Sequence, residues 1–495
     1  MLGHEIVEIL DDLIIEYNFP LDKNYTFFTN NTNKIKPGSV FVCIKGTFFD
    51  GHDFIKTAIE FNASLIISED AKKTQFDFPY ILVSDTKQAY ALLNYAYYNI
   101  DFNDFNFIGV TGTNGKTTVI SLIHYVLTQA EKNSSLISTV GIKLNNELLY
   151  EPYNTTPGVD EIARILNLSK ERNIENICLE VSSHALAQNR VYKIPFSIAI
   201  LTNITRDHLD YHKDFEEYKE IKMSLFRHLK DDGIGIINLD CNNVDEVPLE
   251  RDRIVTYGFT NVADYVISDV EYNNSQMVFT IKEPDGTENK IHTHLIGEYN
   301  AQNLTAAFVA LRNMGIDREI IRHGFLEFPG VPGRFQLVEN TRDVEYKVYI
   351  DFAHTPDALE KVLTSARKIT KGRIILVFGA GGAADIGKRK IMGEIASKYS
   401  DLIVITDDDP KNDDPDEIIE HILEGIDKSK PYIVIRNRRT AIKAAVSFAS
   451  RDDIVIIAGR GHEKFQLYEN GKKIPFNDYE VAYEIVQKFR KVMKR

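Results

Sequence analysis

Read for its hydrophobic and polar positions, the chain alternates short apolar runs with amphipathic stretches along most of its length. In the first hundred residues, Val40–Ile44 and Ala63–Ile67 predict two buried strands, with a helix over Phe54–Phe61 between them. Pro37-Gly38 and the glycines from Gly46 to Gly51 mark turns, and Ala89–Tyr98 predicts a helix leading to a polar link, Asp101 to Asp104. From 104 to 333, apolar runs at Phe107–Val110, Asn176–Val181, Ser197–Thr202 and Gly235–Asn238 are separated by helical patterns. That is the layout of a mostly parallel sheet covered on both faces. Between Ile254 and Leu295 the period shortens to strand-like alternation, with a turn at Pro284-Asp285-Gly286, and predicts a small antiparallel sheet beside the main one. Asn300–Met314 returns to a helix. From 334 to 495, strands expected at Tyr346–Ile350, Arg373–Phe378, Leu402–Thr406, Tyr432–Ile435 and Ile454–Ala458 alternate with helices at Ala358–Lys368, Lys390–Lys398, Pro415–Ile426 and Thr440–Phe448. This is the pattern of a second doubly wound domain, of dinucleotide-fold type. The expected fold class is α/β in three domains, 1–103, 104–333 and 334–495.

Composition changes this picture little. The 495 residues are 43% hydrophobic and 26% charged, ordinary for a soluble globular protein. A formal net charge of −14 argues against a general nucleic-acid or anionic-membrane surface, though not against a local basic pocket for phosphates. Cys43, Cys178 and Cys241 are widely spaced and odd in number, which suits a reducing compartment better than a disulfide framework or a zinc site. Met1–Asn18 is amphipathic with acidic residues, unlike a signal peptide, and no apolar stretch reaches membrane-spanning length. A cytoplasmic protein with no membrane or nucleic-acid partner is expected.

The chemistry concentrates where strands should end. The stretch Gly109-Val-Thr-Gly-Thr-Asn-Gly-Lys-Thr-Thr118 sits between an apolar run and a helical pattern, as a phosphate-binding loop does. The usual spacing would need a glycine at Val110; the short form Gly112-Thr-Asn-Gly-Lys-Thr is present instead. Backbone N–H groups and a helix N-terminus there would face an anion, Lys116 would add a charge, and Thr117 would offer a hydroxyl to magnesium. Glu180-Val-Ser-Ser-His184 follows a predicted strand and reads either as a helix cap or as an oxygen ligand for magnesium, with Gln188 and Arg190 beyond it. Thr202–His212 gathers two histidines and two aspartates, again readable as structural or metal-binding. Asn154–Gly158 is a polar loop. Asp351–Pro356 and Ala458–Glu463 follow the first and last strands expected in the final domain. Such repeated placement implies one cleft site.

With these motifs assembled, the sequence resembles the Mur ligases, ATP-dependent amide-forming enzymes that build the cytoplasmic peptidoglycan precursor. Within them it is most similar to the ligases that add the third residue. The resemblance spans essentially the whole chain and rests on residues 109–118, Glu180-Val-Ser-Ser-His-Ala-Leu186, Asn203–His212, Gly297-Glu-Tyr-Asn-Ala-Gln-Asn303, Pro332-Gly-Arg334 and Asp351–Leu359. It implies the following roles. Gly112, Thr113, Asn114, Gly115, Lys116, Thr117 and Thr118 hold ATP with Asn300, Asn303, Arg334, Asp351 and His354. Thr117, Glu180, His208 and a carbamylated Lys222 hold Mg2+, with Lys116, Lys222 and His208 as the catalytic set. Thr32, Asn154, Thr155, Thr156, Ser182, Gln188 and Arg190 take the UDP-muramoyl dipeptide, with the loop Lys45 to His52 near the uridine. The family's Asp-Ser-Arg stands here as Asn31-Thr32-Asn33. The acceptor amino acid meets Arg389, Asp409, Lys411, Gly459 and Glu463. Diaminopimelate-adding members carry Asp-Asn-Pro-Arg where this chain reads Asp408-Asp409-Pro410-Lys411. Lys411 with Arg389, and Asp409 with Glu463, suit a zwitterionic distal end, hence meso-diaminopimelate or a close analogue such as meso-lanthionine. L-lysine or L-ornithine is the alternative if Asp409 and Glu463 make the pocket acidic. A monomer is expected. Competing functions are folylpolyglutamate synthetase, a P-loop nucleotide hydrolase or switch, and a non-catalytic binding protein of ligase ancestry.

Overall fold

The computed structural model describes residues 1–46, 49–72, 77–207, 211–240, 247–273, 276–339, 341, 344–383 and 385–493. The chain forms two compact units. One contains Met1–Ile108, Asn133–Ser197 and His228–Asp231; the other contains Gly109–Lys132, Ile198–Arg227 and Asp232–Arg495.

In the first unit, a five-stranded sheet runs in the order Ile14–Asn18, Tyr80–Val83, Leu65–Ser68, Ser39–Val42, Phe27–Thr29. Its four inner and far strands are parallel, and Ile14–Asn18 is an antiparallel edge. The two predicted strands of this region are present, shifted by one or two residues. The helix Thr86–Tyr97 begins three residues earlier than its apolar pattern, because Asp85 caps it by accepting the N–H groups of Lys87 and Gln88. The same unit carries Asn176–Glu180 parallel to Ser134–Ser138, which continues through Gly141–Leu144 and Glu147–Tyr150 as an antiparallel meander. Cys43 and Cys178 are buried thiols, as expected of small apolar side chains; Cys241 lies outside the described residues.

In the second unit, Ile254–Gly258 is parallel to the end of Leu229–Asn238, and Tyr265–Asn273 continues beside it for two parallel pairs. Gln276–Lys282 and Glu288–Thr293 then add antiparallel strands. The antiparallel strands expected as a separate small sheet are therefore an extension of the parallel one. The helix Glu298–Asn313, buried on nearly every side, packs on the helix Lys116–Gln129 that follows the glycine-rich loop. The final sheet is ordered Gln336–Leu337, Lys347–Asp351, Ile454–Ala458, Ile374–Phe378, Leu402–Ile405, Tyr432–Val434, parallel apart from the first edge. Its core strands are wholly apolar and buried on both faces. Two of its helices, Pro356–Ile369 and Pro415–Leu423, start with proline at the first position behind a Thr355 or Asp414 cap. A hairpin, Phe465–Tyr468 with Lys472–Pro475, and the helix Asp478–Met493 complete the unit. In this sheet, loops at the carboxyl ends of the parallel strands hold His354, Asp409, Lys411, Gly459 and Glu463, while Asp351 ends a strand and Arg389 lies in the helix Gly387–Tyr399.

Candidate active site

The glycine-rich loop folds as its spacing requires. Gly112 and Gly115 take φ of 142° and 88°, and a Cβ on Gly115 would collide with the Asn303 side chain. The helix starts at Lys116, the next residue. Asn203, after the strand Phe196–Leu201, fixes the loop: its carbonyl accepts Thr113 N–H at 2.8 Å and its side chain accepts Asn114 N–H at 3.0 Å. The Thr113 hydroxyl donates to Thr205 O at 3.1 Å and lies 3.0 Å from the Tyr218 hydroxyl. Lys116 Nζ turns back on the carbonyls of Gly112 and Thr113, both at 2.9 Å. Lys222, buried on the helix Phe215–Met223, donates to the same Gly112 carbonyl at 2.7 Å and lies over the Tyr218 ring. Two cations thus converge on one loop carbonyl, an arrangement suited to a polyanionic ligand. His208 lies outside the described residues.

Within the same unit, one pocket is lined by Asn114, Gly115, Thr117 and Thr118 of the loop, by Asn300 and Asn303, and by Arg334 and Asp351. The structure therefore brings together most of the residues predicted to hold a nucleotide. Asn300 donates to Ile296 O at 2.8 Å and accepts Asn303 Nδ2 at 3.2 Å, which fixes both amides. Arg334 stacks over the Phe352 ring and reaches Thr117 Oγ1 at 3.5 Å. Asp351 accepts the N–H groups of Phe335 and Ala353 at 2.6 and 2.7 Å. Burial pushes its carboxyl up to about 6, against the Arg334 guanidinium and those two donors. Burial also holds His354 below its ordinary imidazole value; its Nδ1 faces Phe352 O at 2.8 Å, so Nδ1 carries the proton and Nε2 is left as acceptor. Sequence reading assigned no role to Asn203, Tyr218, Asp357 or Lys361, although Asn203 and Asp357 lie within its motifs. Asp357 accepts Asn114 Nδ2 at 2.9 Å and Lys361 Nζ at 2.8 Å, tying the loop to the helix Pro356–Ile369. The i, i+4 spacing of Asp357 and Lys361 was the available signal.

The residues expected to hold the muramoyl substrate gather in the first unit. Arg190 donates to Thr156 O at 2.6 Å and to Gln188 Oε1 at 2.7 Å. The Thr156 hydroxyl donates to Glu180 O at 2.7 Å and accepts Ser182 N–H at 3.0 Å. Ser182 caps the short helix behind it by accepting Ala185 N–H, which is the capping reading of that cluster. Glu180, buried at the end of its strand, accepts the Ser138 hydroxyl at 2.8 Å and both the N–H and hydroxyl of Thr139. Thr155 accepts from the Thr139 hydroxyl at 3.2 Å. Thr32 starts a 3-10 turn whose Lys34 pairs with Asp160, at the N-terminus of the helix that follows the exposed Asn154 and its loop. Of the loop Lys45 to His52, Thr47 and Phe48 lie outside the described residues. Thr117 and Glu180 are hard oxygen donors of the kind magnesium prefers. Among the described residues, no group of three or more His, Cys, Asp or Glu side chains is placed to hold a metal.

The acceptor loops depart from expectation in their partners. Asp407, Asp408 and Asp409 are buried, whereas Asn412 and Asp414 further along the same loop are exposed. Asp409 pairs with Arg460 and accepts Leu467 N–H at 3.0 Å. The anion expected to await an ammonium group is engaged within the protein, and Arg460, not singled out by the sequence, is its partner. Arg389 is buried and pairs with Asp413 at 2.7 Å. A Cβ on Gly459 would collide with the Asp408 carboxylate, which explains a glycine where the two strand ends close together. Burial pushes Glu463 up to about 8, with Arg460 opposing and Asp408, Asp409 and Asp478 reinforcing the shift.

Three family models match the chain: the Mur ligase family catalytic domain over residues 24–99, the Mur ligase middle domain over 110–311, and the Mur ligase glutamate ligase domain over 333–461. A UDP-N-acetylmuramoyl-L-alanyl-D-glutamate--2,6-diaminopimelate ligase of Syntrophomonas wolfei is 37% identical over 490 residues, 98% of this chain and 99% of that protein. The Aquifex aeolicus protein of the same name is 38% identical over 96% of both chains. A solved structure bearing that name superposes with a TM-score of 0.69 at 29% identity, covering 99% of each chain. With the loop, the pocket and the strand-end motifs in place, the conclusion is that the chain belongs to the Mur ligase family.

Proposed function

We propose that this enzyme joins a diamino acid, meso-diaminopimelate or a close analogue such as meso-lanthionine, to UDP-N-acetylmuramoyl-L-alanyl-D-glutamate, driven by ATP, in peptidoglycan precursor synthesis. The observation that carries the reading is the pocket shared by the phosphate loop, Asn300 and Asn303, and Arg334 with Asp351. ATP's γ-phosphoryl group passes to the free glutamate carboxylate, giving an acyl phosphate and ADP. The amine nitrogen then attacks the acyl carbon; the tetrahedral intermediate expels phosphate, and the amine loses a proton as the amide forms. Such chemistry asks the protein for positioning and charge neutralisation, not for a nucleophile. Lys116 and Arg334 neutralise phosphate charge, while Asn300 and Asn303 face the base. Gln188 and Arg190, with Thr155, Thr156 and Ser182, position the muramoyl dipeptide. Mg2+ would neutralise phosphate oxygens, with Thr117, Glu180, His208 and carbamylated Lys222 as its ligands. The division into 1–103, 104–333 and 334–495, a monomeric state and a cytoplasmic location belong to the same proposal. Among the described residues no helix is long and apolar enough to cross a membrane.

The deciding experiment offers meso-diaminopimelate, meso-lanthionine, L-lysine and L-ornithine separately, with ATP, magnesium and the UDP-dipeptide, and reads product mass and ADP release. Tripeptide from the dicarboxylic diamines is the expected result. Product from lysine or ornithine alone would overturn the amino-acid assignment, and steady ATP hydrolysis without product would point to a nucleotide hydrolase.

Asp351 gives a second expectation. Its carboxylate accepts two backbone N–H groups and keeps lone pairs for a nucleotide hydroxyl. Asp351→Ala should raise the KM for ATP about tenfold, the scale of one hydrogen bond to a charged group, with a smaller change in kcat. Because burial raises this carboxyl to about 6, the wild-type KM for ATP should climb as pH falls through that value, higher than an ordinary aspartate would give. A pH-independent KM between 5 and 8, in about unit steps, would remove Asp351 from the nucleotide site.

A further inference from the structure

The acceptor loops hold a buried ionic cluster centred on Arg460, which is fully buried. Its Nη1 pairs with Asp409 and lies 3.5 Å from Asp408 Oδ1; its Nη2 donates to Phe465 O and lies 3.4 Å from Glu463 Oε2. One guanidinium thus ties together the loop after Leu402–Ile405, the loop after Ile454–Ala458, and the hairpin that starts at Phe465. The connections run in both directions. Leu467 N–H donates to Asp409 Oδ1 and Leu467 O accepts Lys411 N–H, each at 3.0 Å, while Gln466 Nε2 donates to Asp408 O at 2.8 Å. Lys411 is held at φ 54°, a left-handed conformation that a lysine adopts at some cost, and the bond to Leu467 offsets it. Glu463 stays about a third exposed while Asp409 is nearly covered.

We propose that Arg460 is a positioning and specificity-determining residue for the acceptor amino acid: it covers Asp409 in a close ion pair, while its looser approach to Glu463, at 3.4 Å, leaves that partly exposed carboxyl together with the Lys411 ammonium to face the ligand. The inference rests on the ligase reading above. A distal carbon bearing both ammonium and carboxylate matches that pair, whereas the distal ammonium of lysine or ornithine leaves Lys411 without a partner. The fork of an arginine suits the task, since it holds Asp409, Asp408, Glu463 and a carbonyl from one plane.

A double-mutant cycle in the full chain tests this, with Asp409→Asn, Arg460→Gln and the two combined. The readouts are kcat, KM for meso-diaminopimelate, L-lysine and ATP, and a melting curve for each variant. Arg460→Gln releases Asp409 and makes the pocket acidic. It should raise the KM for meso-diaminopimelate about tenfold and shrink the preference over lysine by a similar factor, with the KM for ATP unchanged within about twofold. The combined variant removes one charge of each sign and should recover most of the preference, so that its loss is smaller than the product of the single losses. If Arg460→Gln does not fold, the combined variant carries the test, because it removes both members of the closest buried pair and leaves only the longer ionic contacts to Asp408 and Glu463 unmade. Additive losses, or an unchanged preference in Arg460→Gln or a lost one in the combined variant, would overturn the proposal. Failure of the ligase reading is distinct: the wild-type enzyme would then make no tripeptide from any amine.

Discussion

Lys116→Ala should leave about a thousandth of the wild-type kcat, the scale seen when a fixed cation or donor is removed from a transferring phosphoryl group. The side chain opens the helix after the glycine-rich loop and is partly exposed, so its truncation leaves no cavity. Its Nζ lies on two loop carbonyls at 2.9 Å. These are neutral acceptors, and a phosphate oxygen is the stronger one because the bond is then charged at both ends. As charge shifts toward the β–γ bridge during transfer, a lysine held there gains interaction energy in the transition state, which is why the loss should appear in kcat more than in KM. Lys116→Arg retains charge but replaces a compact ammonium by a wide planar fork beside the Gly112 backbone, and should recover little. A melting temperature within about 2 °C of wild type would separate this loss from unfolding. A decrease in kcat of less than about tenfold would remove Lys116 from the phosphoryl-transfer step.

Local signals made much of this legible. Gly112 to Thr117 stand in register because loop and helix start are adjacent in the chain, and the apolar runs of the final sheet predict its strands because both faces are covered. Three features were not legible. The antiparallel strands join the main sheet through two parallel pairs, Tyr257 with Tyr265 and Gly258 with Val266, too short a signature to read in advance. The meander Ser134–Tyr150 is made of strands of four or five residues, where a strand and a loop carry the same pattern. The strand Leu229–Asn238 begins six residues before the predicted Gly235, under Lys230-Asp231-Asp232, whose charges mask it. In the site, Asp409 and Arg460 are 51 positions apart, and their pairing exists through the parallel register of strands that neither belongs to. Sequence identified Asp409 as an anion; which cation would claim it was a property of the fold.

Lys222→Ala should lower turnover about a hundredfold or more, and the choice between two accounts of that loss depends on a second substitution. In the structure Lys222 is buried, donates to Gly112 O at 2.7 Å and lies over the Tyr218 ring. On that geometry alone it is a cationic tether for the phosphate loop. The proposed role is different: the neutral amine adds to CO2, forming an N–C bond and releasing a proton, and the resulting carbamate is an anionic oxygen ligand. Alanine removes both functions and cannot tell them apart. Arginine can: it still donates to the Gly112 carbonyl and stacks on Tyr218, but it does not form the carbamate. Lys222→Arg should therefore be as inactive as Lys222→Ala while melting close to wild type, and added bicarbonate or other small anions should restore part of the alanine variant's turnover by entering the space left by the side chain. Wild-type turnover should fall when dissolved CO2 is stripped and return when bicarbonate is added. Near-normal turnover of Lys222→Ala without added anions would exclude both accounts, whereas an active arginine variant would leave the tether as the whole role of Lys222 and move the magnesium ligation to Thr117, Glu180 and His208.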